Sequence, residues 1–343
     1  MNEPAVRFRD VDIVFGKRPE RVLHLIDAGK SRAEIAEGTG LVLAVTNCTL
    51  DIYHGEILVI MGLSGSGKST LLRAINGLTK VTRGIANVHN GTDYVDPSRC
   101  EPRVLRDLRT RCVAMVFQQF ALLPWRSVAE NVGYGLELSG MPREQRMGAV
   151  EKQLQLVGLD GWADRRVHEL SGGMQQRVGL ARAFATQAPI LLMDEPYSAL
   201  DPLIRASLQD ELLELQNGAR RTIVFVSHDL DEAMKLGTRI AIMESGRIVQ
   251  VGTPQDIILE PADDYVSNFV AHMNPLNVLR AREVMRDVAS SESIDVQNTV
   301  AANTPMRPLI KRCLKRDATL GVVDDGKVIG VIDAQSILGA LVR

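Results

Sequence analysis

The amino-acid sequence predicts an α/β fold in which a mainly parallel sheet is covered by helices on both faces. Short runs of β-branched and aliphatic residues, typical of buried strands, recur along the 343 residues at 57–60, 113–117, 190–193, 222–226 and 240–243. Helical stretches separate these runs, as parallel strands need crossover connections. A glycine-rich turn between the first of these strands and a helix is a third observation in favour of this fold class.

That glycine-rich turn matches the pattern G-x-x-x-x-G-K-[ST] of a phosphate-binding loop. Its glycines allow backbone N–H groups to point inward at phosphate oxygens, and the helix that follows directs its positive end at the same anion. The lysine supplies a mobile charge, and the next serine supplies a hydroxyl for Mg²⁺. The residues predicted to bind a nucleoside triphosphate are Gly62, Leu63, Ser64, Gly65, Ser66, Gly67, Lys68, Ser69 and Thr70.

The organisation of the sequence predicts two domains. Residues 1–275 form the sheet domain, and a helical subdomain at about residues 119–185 is inserted into it. Residues 280–343 form a second, small α/β module. Within it, residues 320–332 have the pattern of two short strands joined by an Asp-Gly turn, and a helix follows from Ala334.

A polar stretch after Phe15 separates the first strand of the sheet domain from the next ones. Ser31 and Glu34 have the spacing of a helix capping box, so we predict a short helical insertion there. Residues 42–45 and 48–52 have the pattern of two further strands before the phosphate loop.

Composition and charge exclude several classes of protein. The formal net charge is −2, so no basic surplus indicates a nucleic-acid partner. The four cysteines show no Cys-x-x-Cys spacing, which is typical of buried or free thiols in a reducing compartment. The N-terminus lacks the apolar core of a signal peptide, and no run approaches the length of a membrane span. We therefore expect a soluble chain that is not exported.

Two of the predicted strands end in side chains suited to phosphate chemistry. The strand at 190–193 leads into Asp194, which can hold Mg²⁺ through water, and Glu195, which can polarise an attacking water. The strand at 222–226 leads into His228. For each of these features taken alone, a structural role remains open, since buried strands often end in acids and a lone histidine is often structural.

A second glycine-containing loop precedes a predicted helix and can bind a further anion. Together with the start of that helix, it comprises Leu170, Ser171, Gly172, Gly173, Met174, Gln175, Gln176 and Arg177. Taken alone, the same residues also suit an ordinary helix N-cap. The segment Ser198-Ala199-Leu200-Asp201 closely follows the acidic pair.

Taken together and in this order, the motifs resemble those of the ATP-binding cassette (ABC) ATPases over residues 6–273. The resemblance implies a P-loop NTPase fold of the ABC type with a helical subdomain. It implies that Lys68 and the loop amides bind the phosphates of ATP and that Ser69 and Gln118 coordinate Mg²⁺. It also implies that Glu195 is the catalytic base and that His228 contacts the γ-phosphate.

The same resemblance implies that ATP is bound between two copies of the chain. Ser171 and Gly173 would complete the ATP site of the opposite subunit in a head-to-tail homodimer. Asp201 would lie near the interface between the two subunits. Phe15 is the candidate for stacking on adenine.

A closer resemblance is to the ATPases of glycine betaine, proline betaine and choline importers, with the choline branch the nearest. It depends on the insertion after Phe15, the exact residues of the phosphate loop, the run 198–205 and the presence of a C-terminal module. This module resembles half of a cystathionine-β-synthase (CBS) regulatory pair. The resemblance implies a peripheral subunit on the cytoplasmic face of the inner membrane. Its partners would be permease subunits, which residues 120–125 would contact unless they are core residues, and a periplasmic or surface solute-binding protein.

The sequence also allows other ATP-dependent functions to be weighed. DNA-repair and chromosome-associated ATPases have related motifs, but they insert a long coiled coil or a zinc module that is missing between Lys68 and Ser171. Translation factors of this kind contain two cassettes, whereas this chain contains one. A kinase would need an acceptor site, and none is evident. We therefore expect a transport ATPase without a nucleic-acid partner.

Overall fold

The computed structural model describes residues 3–271, 273–288, 298–316 and 319–342. The predicted C-terminal module includes residues 289–297, which lie outside this description.

Contacts between residues divide the chain into two compact units. They comprise Met1–His228 with Ala241–Val249, and Asp229–Ile240 with Gln250–Arg343. The predicted domain boundary between residues 275 and 280 stays a prediction.

The strands of the described residues belong to three sheets. In chain order they are β1 (Pro4–Phe15), β2 (Val42–Tyr53), β3 (Ile57–Met61), β4 (Arg83–His89), β5 (Tyr94–Val95), β6 (Val113–Val116), β7 (Ile190–Asp194), β8 (Thr222–Val226), β9 (Arg239–Glu244), β10 (Arg247–Gly252), β11 (Thr299–Ala301), β12 (Leu320–Asp324) and β13 (Lys327–Ile332).

The α-helices connect these strands and form the helical subdomain. They are α1 (Leu23–Asp27), α2 (Arg32–Thr39), α3 (Lys68–Ile75), α4 (Pro102–Asp107), α5 (Val128–Val132), α6 (Tyr134–Leu138), α7 (Arg143–Leu156), α8 (Gly172–Ala185), α9 (Pro202–Ala219), α10 (Leu230–Leu236), α11 (Pro254–Leu259), α12 (Asp264–Val270), α13 (Ala281–Val284), α14 (Met306–Arg316) and α15 (Ala334–Val342).

The predicted parallel sheet is present and positions the candidate site. It has six strands in the order β10-β9-β3-β8-β7-β6, and β3, β8, β7 and β6 are parallel neighbours. Every residue of β3, β7 and β8 is buried, which explains their continuous apolar sequences. Because these strands are parallel, the loops at their carboxyl ends meet at one edge of the sheet.

A second sheet, in the order β2-β1-β4-β5, is antiparallel, and the sequence pattern did not separate it from the parallel one. The prediction of two strands at 42–45 and 48–52 is wrong, because β2 is one continuous strand. Asn47 has a left-handed φ of 45° and donates its N–H to Asp12 Oδ1 at 2.8 Å. Asparagine tolerates this conformation, so a bulge bends the strand without ending it.

The helical insertion is confirmed, and it packs on the antiparallel sheet. Ser31 is the N-cap of α2, and its hydroxyl and N–H exchange hydrogen bonds with the backbone and carboxylate of Glu34. Gly40 ends the helix in a left-handed conformation. The apolar residues that join the insertion to the strands are Val14, Val22, Ile35, Leu41 and Leu43. The insertion is therefore packed into the hydrophobic core of the first unit.

The second unit contains the predicted hairpin, and its C-terminal part has a hydrophobic core of its own. β12 and β13 are antiparallel and are joined by Asp325 and Gly326, whose φ values are 45° and 77°. Positive φ at both positions is the mark of the tight turn that Asp-Gly sequences favour. The core consists of Leu279, Ala281, Val284, Val300, Ala302, Met306, Leu309, Cys313, Leu320, Val322, Ile332 and Ile337.

The cysteines form no disulfide, as the sequence predicted. Cys48, Cys100, Cys112 and Cys313 are free thiols, and all but Cys100 are buried. Burial raises the pKa of Cys48 to about 12, so this thiol stays protonated and packs as a small apolar side chain.

Candidate functional site

The glycine-rich loop after β3 has a backbone that only glycine can adopt at two positions. Gly62 has a φ of 142°, and a Cβ there would lie 2.1 Å from the carbonyl oxygen of Met243. Gly67 has a φ of 101°, and a Cβ there would lie 2.5 Å from the carbonyl oxygen of Ala44. A Cβ on Gly65, by contrast, would meet no atom within 4 Å. The loop is thus packed tightly on its protein side and open at its tip.

Lys68 begins helix α3 and is nearly buried, with 7% of its surface exposed. Its Nζ donates to the carbonyl oxygens of Gly62 and Leu63 at 2.8 and 2.9 Å. Burial lowers the pKa of the Lys68 ammonium, and the carboxylates of Glu195 and Asp194 oppose this shift. A partly desolvated ammonium at a helix N-terminus favours an anion in its vicinity, so the site suits phosphate.

The remaining loop residues also suit a polar ligand. The hydroxyl oxygen of Ser66 is buried and has no hydrogen-bond partner among the described residues. Leu63, Ser64 and Gly65 are exposed at the tip, while Thr70 is partly buried on the first turn of α3. A ligand with several acceptor oxygens would pair with the hydroxyl groups and backbone N–H groups of this loop, as the sequence pattern predicts.

Asp194, the last residue of β7, is fully buried and is held by two residues of α3. Ser69 Oγ donates to Asp194 Oδ1 at 2.7 Å, and the Arg73 guanidinium donates to Asp194 Oδ2 at 2.9 Å. A hydroxyl and a carboxylate are oxygen ligands of the kind that Mg²⁺ prefers. The sequence-predicted metal residues Ser69 and Asp194 are therefore in direct contact, and the donor set fits the ion.

Glu195 lies at the centre of a second cluster at the same edge of the sheet. Gln118, which follows β6, donates its Nε2 to Glu195 Oε2 at 2.9 Å. The Nδ1 of His228, which follows β8, lies 3.3 Å from Glu195 Oε1. Glu195 itself has a left-handed φ of 48°, a strained conformation for a residue with a side chain. The structure thus brings Gln118, Glu195 and His228 together from three separate strand ends.

Residues 171–175 of the second glycine-containing motif do not join these clusters within one chain. Ser171 is the N-cap of α8, and its Oγ accepts from the N–H of Met174 at 3.3 Å. Gln175 donates to the carbonyl oxygens of Val167 and Leu170, which fixes the turn before the helix. In the part of the chain that the structure describes, no hydrogen bond links Ser171, Gly172, Gly173 or Gln175 to Lys68, Asp194, Glu195 or His228.

Two other predicted residues lie at the ends of elements outside the phosphate loop. Asp201 is the N-cap of α9, and its Oδ1 accepts from the N–H groups of Leu203 and Ile204 at 3.2 and 3.1 Å. Phe15 ends β1 with 46% of its surface exposed. Neither position contradicts its predicted role, and neither tests it.

Sequence reasoning did not predict the roles of three residues that shape the site. Arg73 lies four residues after Ser69, so helical spacing could have placed both on one face of α3. Gln176, on α8, binds the backbone of Glu195. Arg32, on α2, donates to the carbonyl oxygens of Leu43 and Gly65 at 2.6 and 3.1 Å. Gln176 lies in the second glycine-containing motif, but no sequence signal could have shown the contacts of Gln176 and Arg32, because they join distant segments.

Arg73 gives the first prediction. Arg73→Met should lower the free energy of unfolding by about 1–3 kcal/mol, because it leaves the buried carboxylate of Asp194 with one hydrogen-bond partner fewer. Denaturant unfolding of the full chain measures the loss. The control Arg165→Met removes a more exposed ion pair with Glu169 and should cost less than about 1 kcal/mol. Equal losses in the two variants would contradict the stabilising role of Arg73.

None of the helices in the described part of the chain combines the length with the apolar character that a membrane span needs.

Comparisons with known proteins agree with the site. The sequence pattern of the ABC transporter family matches residues 45–198. The glycine betaine/proline betaine transport system ATP-binding protein ProV of Escherichia coli is 45% identical over 335 residues, which cover 96% of this chain and 81% of the relative. The trimethylamine N-oxide transport system ATP-binding protein TmoW of Ruegeria pomeroyi is 41% identical over 343 residues, which cover all of this chain and 98% of the relative.

A solved structure gives the same result. A bacterial ABC transporter cassette, determined as a dimer, matches with a TM-score of 0.63 and 30% identity, over 73% of this chain and 98% of the cassette. The same cassette is also known in a post-hydrolysis state bound to ADP and phosphate. The chain therefore shares the fold of this cassette, and it belongs to the ABC transporter family of ATP-binding ATPases, among the relatives of the glycine betaine transport proteins.

Proposed function

We propose that this chain is the ATP-hydrolysing subunit of an importer for a quaternary ammonium compound, choline or glycine betaine. The observation that carries the proposal is the 45% identity to a glycine betaine/proline betaine transport protein over 96% of the chain. The second relative serves trimethylamine N-oxide, another small solute with a fully substituted nitrogen. These relatives give no support to a DNA-repair or chromosome-associated function. The choline branch stays a prediction.

The geometry supports specific roles in ATP hydrolysis. The loop amides and Lys68 bind the phosphates, and Ser69, Gln118 and Asp194 would hold Mg²⁺, which supplies positive charge to phosphate oxygens when bound. Glu195 accepts the proton of the attacking water. Its carboxylate is anchored by hydrogen bonding to Gln118, which leaves it oriented towards the edge where the loops meet.

The other predicted contacts complete this proposal. His228 contacts the γ-phosphate, and its proximity to Glu195 keeps both groups at one point of the site. Phe15, half exposed at the end of β1, stacks on adenine.

A substitution of the base separates binding from chemistry. Glu195→Gln should reduce turnover by ~10²-fold or more, because the amide cannot accept a proton, while ATP affinity should stay near its original value. Steady-state ATPase assays and nucleotide binding measure the two effects. Glu151→Gln makes the same change on an exposed residue of α7 and should leave both unchanged. Near-normal turnover of Glu195→Gln would remove Glu195 from this role.

The second glycine loop supports a composite site in a homodimer. In the described part of the chain, neither Ser171 nor Gly173 forms a hydrogen bond with Lys68. This is expected if both residues act on the ATP held by the other subunit. The similar cassette is itself a dimer. Asp201, at the start of α9, would lie near the interface between the two subunits.

Mixed dimers test this arrangement. A Lys68→Ala chain combined with a Ser171→Arg chain yields one site with both lesions and one with neither, so part of the ATPase activity should return on mixing. Each variant alone should be inactive and serves as the control. If the mixture shows no recovery, the sites are self-contained.

The importer requires partners in the membrane. We propose that this subunit lies on the cytoplasmic face of the inner membrane and binds permease subunits, which receive solute from a periplasmic or surface solute-binding protein. Residues 120–125 are the proposed permease contact. Trp125 supports this surface, since 70% of its area is exposed, which a core residue would not show.

The C-terminal module, residues 280–343, is proposed to regulate transport. It resembles one CBS-type half, and such halves pack in twos, so the modules of two subunits would pair with each other. The separate core around Leu309 and Val322 supports an independent element.

Removal of residues 280–343 should leave basal ATPase activity within about twofold, because the phosphate-binding residues all precede them, but should abolish the response of transport to ionic strength or to a nucleotide effector. Val322→Asp, which disrupts the core of the module without shortening the chain, should have the same effect. Transport assays across a salt and nucleotide titration measure the response. Identical responses of intact and altered transporters would refute the regulatory role.

A further inference from the structure

Gln176 lies on the second turn of α8 and has 1% of its surface exposed. Its Nε2 donates to the carbonyl oxygen of Glu195 at 3.3 Å, and its Oε1 accepts from the N–H of Ala199 at 3.1 Å. Both polar groups of one buried amide are therefore bound to the segment that follows β7. Losing either bond would leave a buried polar group without a partner, so the side chain is held firmly in this orientation.

The peptide groups of Glu195 are fixed from two sides. Its N–H donates to the carbonyl oxygen of Val226 on β8 at 3.0 Å. Its carbonyl oxygen accepts from Gln176 and from Ser198 Oγ, the latter at 3.1 Å. A left-handed φ of 48° is unfavourable for a residue with a Cβ and persists only where the surroundings determine it. These bonds set the direction in which the Glu195 carboxylate leaves the backbone.

The first turn of α8 also touches the same segment. A Cβ on Gly173 would lie 3.2 Å from the carbonyl oxygen of Ala199, so α8 approaches this backbone closely. Ser171, the N-cap of α8, is thus on the same rigid helix as Gln176. Helix α8 therefore carries the second glycine loop at its start, and one turn later it forms a hydrogen bond with the backbone of Glu195.

We propose that Gln176 is a positioning residue that couples helix α8 to Glu195. By holding the carbonyl of Glu195 and the N–H of Ala199 together, it keeps the Glu195 carboxylate where it can accept a proton. A displacement of α8 is then transmitted to Glu195 through two hydrogen bonds. The proposal depends on the proposed role of Glu195 as the base.

Two substitutions of Gln176 test the role in the full chain. Gln176→Met keeps the length of the side chain and removes both hydrogen bonds, while Gln176→Glu keeps an acceptor for Ala199 and removes the donor to Glu195. Both should reduce kcat by roughly 10- to 100-fold, since small displacements of catalytic groups have effects of this size. KM for ATP and the affinity for a fluorescent ATP analogue should change by less than about twofold, because the phosphate loop is untouched.

The matched control is Gln153→Met on α7, which makes the same chemical change on a side chain whose buried Oε1 has no hydrogen-bond partner among the described residues. It should leave kcat unchanged. If Gln176→Met only lowers the thermal unfolding temperature and keeps the original kcat, or if KM rises as much as kcat falls, the positioning role is refuted. Should Gln176→Met not fold, Gln176→Glu alone decides the result by the same criteria.

A double-mutant cycle shows whether Gln176 acts through Glu195. In a Glu195→Gln background, Gln176→Met should lower the residual turnover by less than about twofold, because there is no base left to position. Independent, multiplicative losses would overturn the proposal. Its failure differs from a failure of Glu195 itself, since near-normal turnover of Glu195→Gln alone refutes the base, whereas normal turnover of Gln176→Met alone refutes only the coupling.

Discussion

Parallel pairing of β3, β8, β7 and β6 is the constraint on which the rest of the structure depends. Parallel strands end together, so four loops that are far apart in sequence are brought to one edge of the sheet. Burial of both faces makes this arrangement rigid, because the strands can shift only if their apolar side chains leave the core. The candidate site is therefore built at the edge of a buried, closely packed sheet.

Asp194 shows how a polar group is kept in such a core. Its carboxylate is fully buried, and the Ser69 hydroxyl and the Arg73 guanidinium donate to its two oxygens. An isolated carboxylate at this depth would be strongly unfavourable, whereas a paired one ties β7 to α3. The phosphate loop and the acidic strand end are thus joined by side chains as well as by the sheet.

Helix α8 organises the loops around this core. Arg182 donates to the carbonyl oxygens of Phe120 and Ala121 at 2.9 and 2.8 Å, and both of these residues have left-handed φ values, 52° and 49°. Gln176 holds the left-handed Glu195 in a similar way. Strained backbone at three positions is thus stabilised by long polar side chains of one helix, which links the segment after Gln118, the residue Glu195 and the second glycine loop.

The sequence by itself determined the fold class, the phosphate loop and the residues at the strand ends, because apolar runs, glycine spacing and the capping box of α2 are local signals. The tertiary structure alone decided which of these residues touch. Three contacts join segments that no sequence periodicity relates. They are the hydrogen bonds of Asn47 with Asp12, of Arg32 with Gly65 and of Gln176 with Glu195. Such contacts depend on the directions in which side chains leave distant backbones, and those directions exist only once the sheet and its helices have packed.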